Sequence, residues 1–97
     1  MKKLWKGLCE VRVPRGFLDS GQTLAFVWIV TWAHDEAGYF DNARKLLAFY
    51  EGEMIDYEKV EVIDPDANHG ELNELIDQAR DNPNAILFGT FNAYPTQ

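Results

Sequence analysis

The run from Thr23 to Ala33, Thr-Leu-Ala-Phe-Val-Trp-Ile-Val-Thr-Trp-Ala, most constrains the fold, because it is β-branched or aromatic at most positions. Read as a strand, it offers Leu24, Phe26, Trp28, Val30 and Trp32 to one face of a sheet and Ala25, Val27, Ile29, Thr31 and Ala33 to the other. Both sets are apolar, so this strand belongs in the middle of a sheet. Its longest unbroken apolar stretch, Leu24–Val30, is seven residues, far short of the roughly 20 that cross a bilayer as a helix.

The segments around it fall into a simple order. Residues 4–13 alternate, with Trp5, Gly7, Cys9, Val11 and Val13 on one parity and Lys6, Leu8, Glu10 and Arg12 on the other. That pattern suits an edge strand with one wet side. Pro14, Gly16, Asp19, Ser20 and Gly21 make a loop. From Glu36 to Glu51 the period changes to three and four, through Phe40, Ala43, Leu46, Leu47 and Tyr50, which predicts an amphipathic helix with acids at its start and Gly52 as its C-terminal cap.

Met54–Ile63 reads as a third strand whose apolar phase slips, with Ile55 and Tyr57 on one parity and Val60 and Val62 on the other. A bulge near Glu58-Lys59 reconciles them, and a kinked, charged strand belongs at an edge. After Asp64-Pro65-Asp66, Asn68 and Glu71 have the spacing of a capping box, and a short helix with Leu72, Leu75, Ile76 and Ala79 as its stripe is predicted to Arg80. Ala85–Ala93 completes the set as a strand that is again apolar on both parities, and so central.

The resulting expectation is one α+β domain over residues 1–97, of order ββαβαβ. It takes the form of a two-layer α/β sandwich: a four-stranded mixed sheet, the first and third strands at its edges, both helices on one face. The other face would then need cover from a second copy, a partner, or the 14–22 loop and the C-terminal tail. Trp28, Trp32, Phe88 and Phe91 are the residues expected to line that face, as a dimer interface or as the wall of a small-molecule site.

Charge narrows the function. Residues 51–81 carry eleven Asp/Glu against Lys59 and Arg80, and the chain has a net charge of −7. Such a field repels nucleic acid and anionic membrane and attracts cationic partners. Cys9 is the only cysteine, so no intrachain disulfide forms and a reducing, cytoplasmic setting is expected. The start, Met1-Lys2-Lys3-Leu4-Trp5-Lys6, is followed by Glu10, Arg12 and Arg15 and not by an apolar stretch, so no export signal is read.

Motifs for chemistry are sparse. There is no Gly-x-Ser-x-Gly and no Gly-rich phosphate loop, so no catalytic residue and no cofactor is assigned. His34, Asp35, Asp64, Asp66 and His69 all come after strand ends and form a candidate metal or catalytic edge, although no spacing matches a metal motif.

The acidic stretch remains. Tyr57, Glu58 and Glu61 on the third strand and Glu71, Glu74 and Asp77 on the second helix are the expected contact residues for a protein partner with a basic surface. That reading makes the chain a protein-binding module of inhibitor or immunity type. The alternatives are a homodimeric ligand-sensing domain with the aromatic lining above, and a minor enzyme at His34/His69. The plain reading of the acids is a solvated face that confers solubility.

Overall fold

The computed structural model describes residues 1–94. Five strands form one open sheet: β1 (Lys3–Arg12), β2 (Leu24–Ala33), β3 (Glu53–Val62), β4 (Ile86–Phe88) and β5 (Asn92–Ala93). Helix α1 (Glu36–Phe49) joins β2 to β3, and α2 (Asn73–Asp81) lies between β3 and β4. The α+β class and the chain order of the main elements are as the sequence suggests.

The sheet order is β3-β1-β2-β4, with β5 also on β2, and every pair of neighbours is antiparallel. This corrects three expectations. The sheet is not mixed, β1 is central, and β4 lies at an edge. β2 and β3 do run in the same direction, but β1 stands between them, so α1 crosses over one strand. β1 reads as an edge because Lys6, Glu10 and Arg12 fall on one parity. In the structure Lys6 and Arg12 pair with Glu61 and Glu53 on β3, at 3.3 and 2.7 Å, and the Glu10 carboxylate accepts from the Tyr94 hydroxyl.

The helices cover opposite faces, which corrects the two-layer sandwich. Tyr39, Phe40, Ala43 and Leu47 of α1 pack on Cys9, Val11, Ala25, Val27, Ile29 and Ala33. Ile76 and Ala79 of α2, with Leu72 just before it, pack on Leu4, Val30 and Ile63, alongside Trp28, Trp32 and Leu87. The physical reason lies in β2 itself. Both of its parities are apolar, and each helix removes one of them from water. At about 25 cal/mol per Å² of apolar surface, covering both sides stabilises more than stacking both helices on one.

Local chemistry sets the ends of the elements. Asp35 caps α1 by accepting from the Gly38 N–H at 2.8 Å. At the C-terminal end Glu51 N–H bonds Ala48 O at 3.0 Å and Gly52 N–H bonds Leu47 O at 2.8 Å, a Schellman arrangement. The residue in the left-handed region is Glu51, with φ 62°, and not Gly52. Asn68 does not close a capping box. Its Oδ1 accepts from Gly70 N–H at the start of a 3₁₀ turn over Gly70–Leu72, and α2 begins only after that turn.

The last strand is split. Ile29 faces Phe88 and Phe26 faces Asn92, so three steps on β2 match four on its partner. The extra residue, at Thr90-Phe91, turns Phe91 back to the α1 side, where it packs with Phe88 and Phe17. Phe17 comes from the 14–22 loop, which therefore covers that end of the α1 face.

Candidate functional site

β3 carries two register shifts against β1, one between the partners of Lys6 and Leu8 and one between those of Glu10 and Val11. The first is the bulge expected near Glu58-Lys59, with Lys59 in the left-handed region at φ 56°. Each bulge adds one residue and so reverses the facing of every residue beyond it. Their combined effect is that Glu53, Asp56, Glu58 and Glu61 stand opposite Arg12, Glu10, Leu8 and Lys6. All four acids of the strand therefore lie on one face of the sheet. It is the α2 face.

On that face α2 covers only one end. Leu8 and Phe26 lie beyond it, Trp28 lies at its margin, packed against the α2 core, and all three are half-buried. Tyr94, just after β5, lays its ring on Phe26, with centroids 5.1 Å apart. Its hydroxyl donates to Glu10, and this bond, with burial and the carboxylate charge adding to it, pushes the phenol up to about 12. A shallow crevice of about 120 Å³ runs between Leu8, Glu10, Phe26, Asp56, Tyr57 and Glu58. On the far side of Trp28 from β1, a larger cleft of about 360 Å³ is bordered by Glu71 and Glu74. The arrangement is an aromatic strip with carboxylates from β3 along one side and from the start of α2 along the other.

The charges there are only partly compensated. Lys6 and Arg12 neutralise Glu61 and Glu53, while Asp56, Glu58, Glu71 and Glu74 have no ion-pair partner among the described residues. Asp56 stands directly opposite Glu10 in the ladder, and like charges so placed are mutually destabilising. Glu74 also has a local role, since an acid in the first turn of α2 offsets the helix dipole.

Of the six residues expected to contact a partner, Glu58 and Glu61 share the acidic sheet face, and Glu71 and Glu74 border the cleft beside it. Asp77 is exposed on α2, one residue past the buried Ile76. Tyr57 sits on the other parity, opposite Cys9, and its ring packs on Phe40 of α1 at 4.6 Å while staying half exposed. The expected aromatic lining divides likewise. Trp28 and Trp32 lie on the α2 face, with Trp32 donating to Ala79 O at 2.8 Å, whereas Phe88 and Phe91 pack on the α1 side. No single face carries all four. Sequence reading passes over Glu10, Asp56, Phe26 and Leu8, and the slip of apolar phase in β3 is the signal that leads to them.

The His34/His69 edge separates into two local structures. His69 Nε2 lies 2.7 Å from Asp64 O, Asp64 Oδ1 accepts from Asp66 N–H, and Asp66 pairs with Arg80. His34 borders a groove at the start of α1 with Asp35, Asp41 and Lys45. Among the described residues, no three His, Cys, Asp or Glu side chains converge as a metal site. Cys9 is fully buried under Tyr39, and burial pushes its thiol up to about 11, the opposite of an activated nucleophile. No helix among the described residues is long and apolar enough to cross a membrane. No family model, curated protein or solved structure matches this chain significantly.

Proposed function

We propose that this chain is a small protein-binding module, of inhibitor or immunity type, that engages a basic partner through the acidic α2 face of its sheet. One observation carries the reading: two bulges in β3 bring its four carboxylates to the side where Leu8 and Phe26 lie beyond α2 and Trp28 stays half-buried at its margin. The same bulges turn Met54, Tyr57 and Val60 toward α1, so the sorting also serves the core. What favours an interface is the concentration of carboxylates beside half-buried aromatics, because charge steers the encounter and aromatic anchors set the residence time. The buried free thiol of Cys9 suits a reducing, cytoplasmic setting.

A second copy is a poor occupant of this face. Self-association would set Asp56, Glu58, Glu71 and Glu74 of one copy against the same groups of another. A homodimeric ligand sensor also loses its expected lining, since Phe88 and Phe91 point away from Trp28 and Trp32.

The test is association with a panel of purified basic nucleic-acid-processing enzymes at 50 and 500 mM salt. Wild type is expected to bind one of them with an on-rate that falls steeply with salt. Asp56→Lys combined with Glu58→Lys, and separately Glu71→Lys with Glu74→Lys and Asp77→Lys, should keep the fold and lose the partner. Undiminished affinity in both variants removes this face as the binding surface.

A further inference from the structure

We propose that the cleft beside Trp28 is the seat for an arginine side chain of the basic partner. The inference rests on the proposed binding face and names what this cleft accepts. The cleft lies between the start of α2 and the turn from β4 to β5, with Trp28, Leu72 and Leu75 as its apolar walls and Glu71, Glu74 and Thr90 among its polar ones. At about 360 Å³ it stands near the lower end of the roughly 300–1,000 Å³ typical of ligand cavities. It takes one long side chain or a small head group.

Its walls select the chemistry. An indole is the best aromatic acceptor for a cation, and a carboxylate beside it complements a planar guanidinium, which stacks on the ring while donating sideways. Trp28 already accepts a cation within the chain: Lys6 Nζ lies 5.5 Å from the ring centroid. That ammonium approaches from β1, is neutralised by Glu61 at 3.3 Å, and leaves the cleft on the β4 side free.

The two carboxylates outweigh the partial positive charge of about half an elementary unit at the start of α2.

The experiment is a titration of ¹⁵N-labelled protein with an end-blocked hexa-arginine peptide in 20 mM salt, with hexa-lysine as comparator. Three indole N–H signals are expected, and Trp28→Phe identifies one of them. Saturable movement of the Trp28 indole signal by hexa-arginine, with hexa-lysine several-fold weaker, is the expected result. Trp28→Leu should weaken hexa-arginine about five- to tenfold. Glu71→Gln with Glu74→Gln, two exposed changes that leave the core intact, should weaken it similarly.

If hexa-arginine instead shifts only amides of residues 53–61 and leaves the Trp28 indole in place, the cleft is not the seat, while the acidic face stands as a cation-binding surface. Equal binding of the two peptides overturns the selection for arginine. No binding of either peptide overturns the cleft and the proposed acidic face together.

Discussion

The hydroxyl of Tyr39 occupies the place where a side chain at residue 7 would stand: a Cβ on Gly7 would come within 2.4 Å of that oxygen and 2.8 Å of Val60 Cγ2. The same hydroxyl donates to Ile29 O at 3.0 Å and lies 3.7 Å from Cys9 Sγ. A gap in the centre of β1 thus admits the polar end of a fully buried ring and satisfies it. Gly7→Ala should cost about 2–3 kcal/mol, from overpacking and from displacement of the Tyr39 hydrogen bond. Urea unfolding of Gly7→Ala, Tyr39→Phe and the double variant measures it. The double variant should lose clearly less than the sum of the singles, because removing the hydroxyl relieves the closest clash.

Glu51 holds a left-handed conformation, φ 62°, where the Schellman turn after α1 normally takes glycine. Gly52 comes immediately after it, but it donates to Leu47 O and a Cβ on it would lie 3.1 Å from Arg12 O. Its lack of a side chain therefore serves close approach to β1. Glu51→Gly should stabilise the protein by about 0.5–1 kcal/mol, read as a rise in Tm of roughly 2–8 °C in a chain of this size. Gly52→Ala should lower it.

These two glycines mark where the sequence is legible and where it is not. Gly52 is readable as the end of a helix, but its neighbour across the loop, Arg12 O, belongs to a strand forty residues earlier. The strand–helix order emerges from local periodicity. The assignment of β1 to an edge fails because polar residues on one parity look alike whether water or a neighbouring strand meets them. Lys6 and Arg12 meet Glu61 and Glu53.

The apolar stripes of α1 and α2 also carry no label for the face they will cover. With β2 apolar on both sides, only tertiary packing decides. The acidic face is half legible. The phase slip between Tyr57 and Val60 points to a bulge, but the second bulge, at Ile55, is needed before Glu53 joins the other three acids. A single bulge would leave Glu53 on the α1 face.

Alkaline pH should destabilise the fold through a buried thiol. Burial raises the Cys9 thiol from its ordinary 9.0 to about 11, with the Tyr39 hydrogen bond acting in the opposite sense. Tyr39 is itself raised by burial and by the neighbouring thiol. A raised folded-state pKa means that the unfolded chain gives up its proton first. The stability is therefore fully present below pH 9 and is lost as pH climbs from 9 toward 11, by about 2–3 kcal/mol for Cys9. Urea midpoints at pH 7, 9 and 10.5 test this. Cys9→Ala should be less stable at pH 7 yet show a shallower decline above pH 9.

Asp56 and Glu10 face each other across the β1–β3 ladder, with Glu58 on the same face. Asp56 does have a local role, since its Oδ1 accepts from Tyr57 N–H at 2.8 Å. An asparagine keeps that acceptor and removes the charge. If the pair stores repulsion that a cationic partner relieves, Asp56→Asn should move two measurements in opposite directions. Stability should rise by about 0.2–1 kcal/mol at low ionic strength, and the gain should shrink as salt screens the exposed charges. Binding of a basic peptide or partner should weaken under the same conditions. A variant that is more stable but binds equally well would make the repulsion a cost without a use at this face. One that binds less well without any gain in stability would mean that the hydrogen bond from Tyr94 already offsets the repulsion at Glu10.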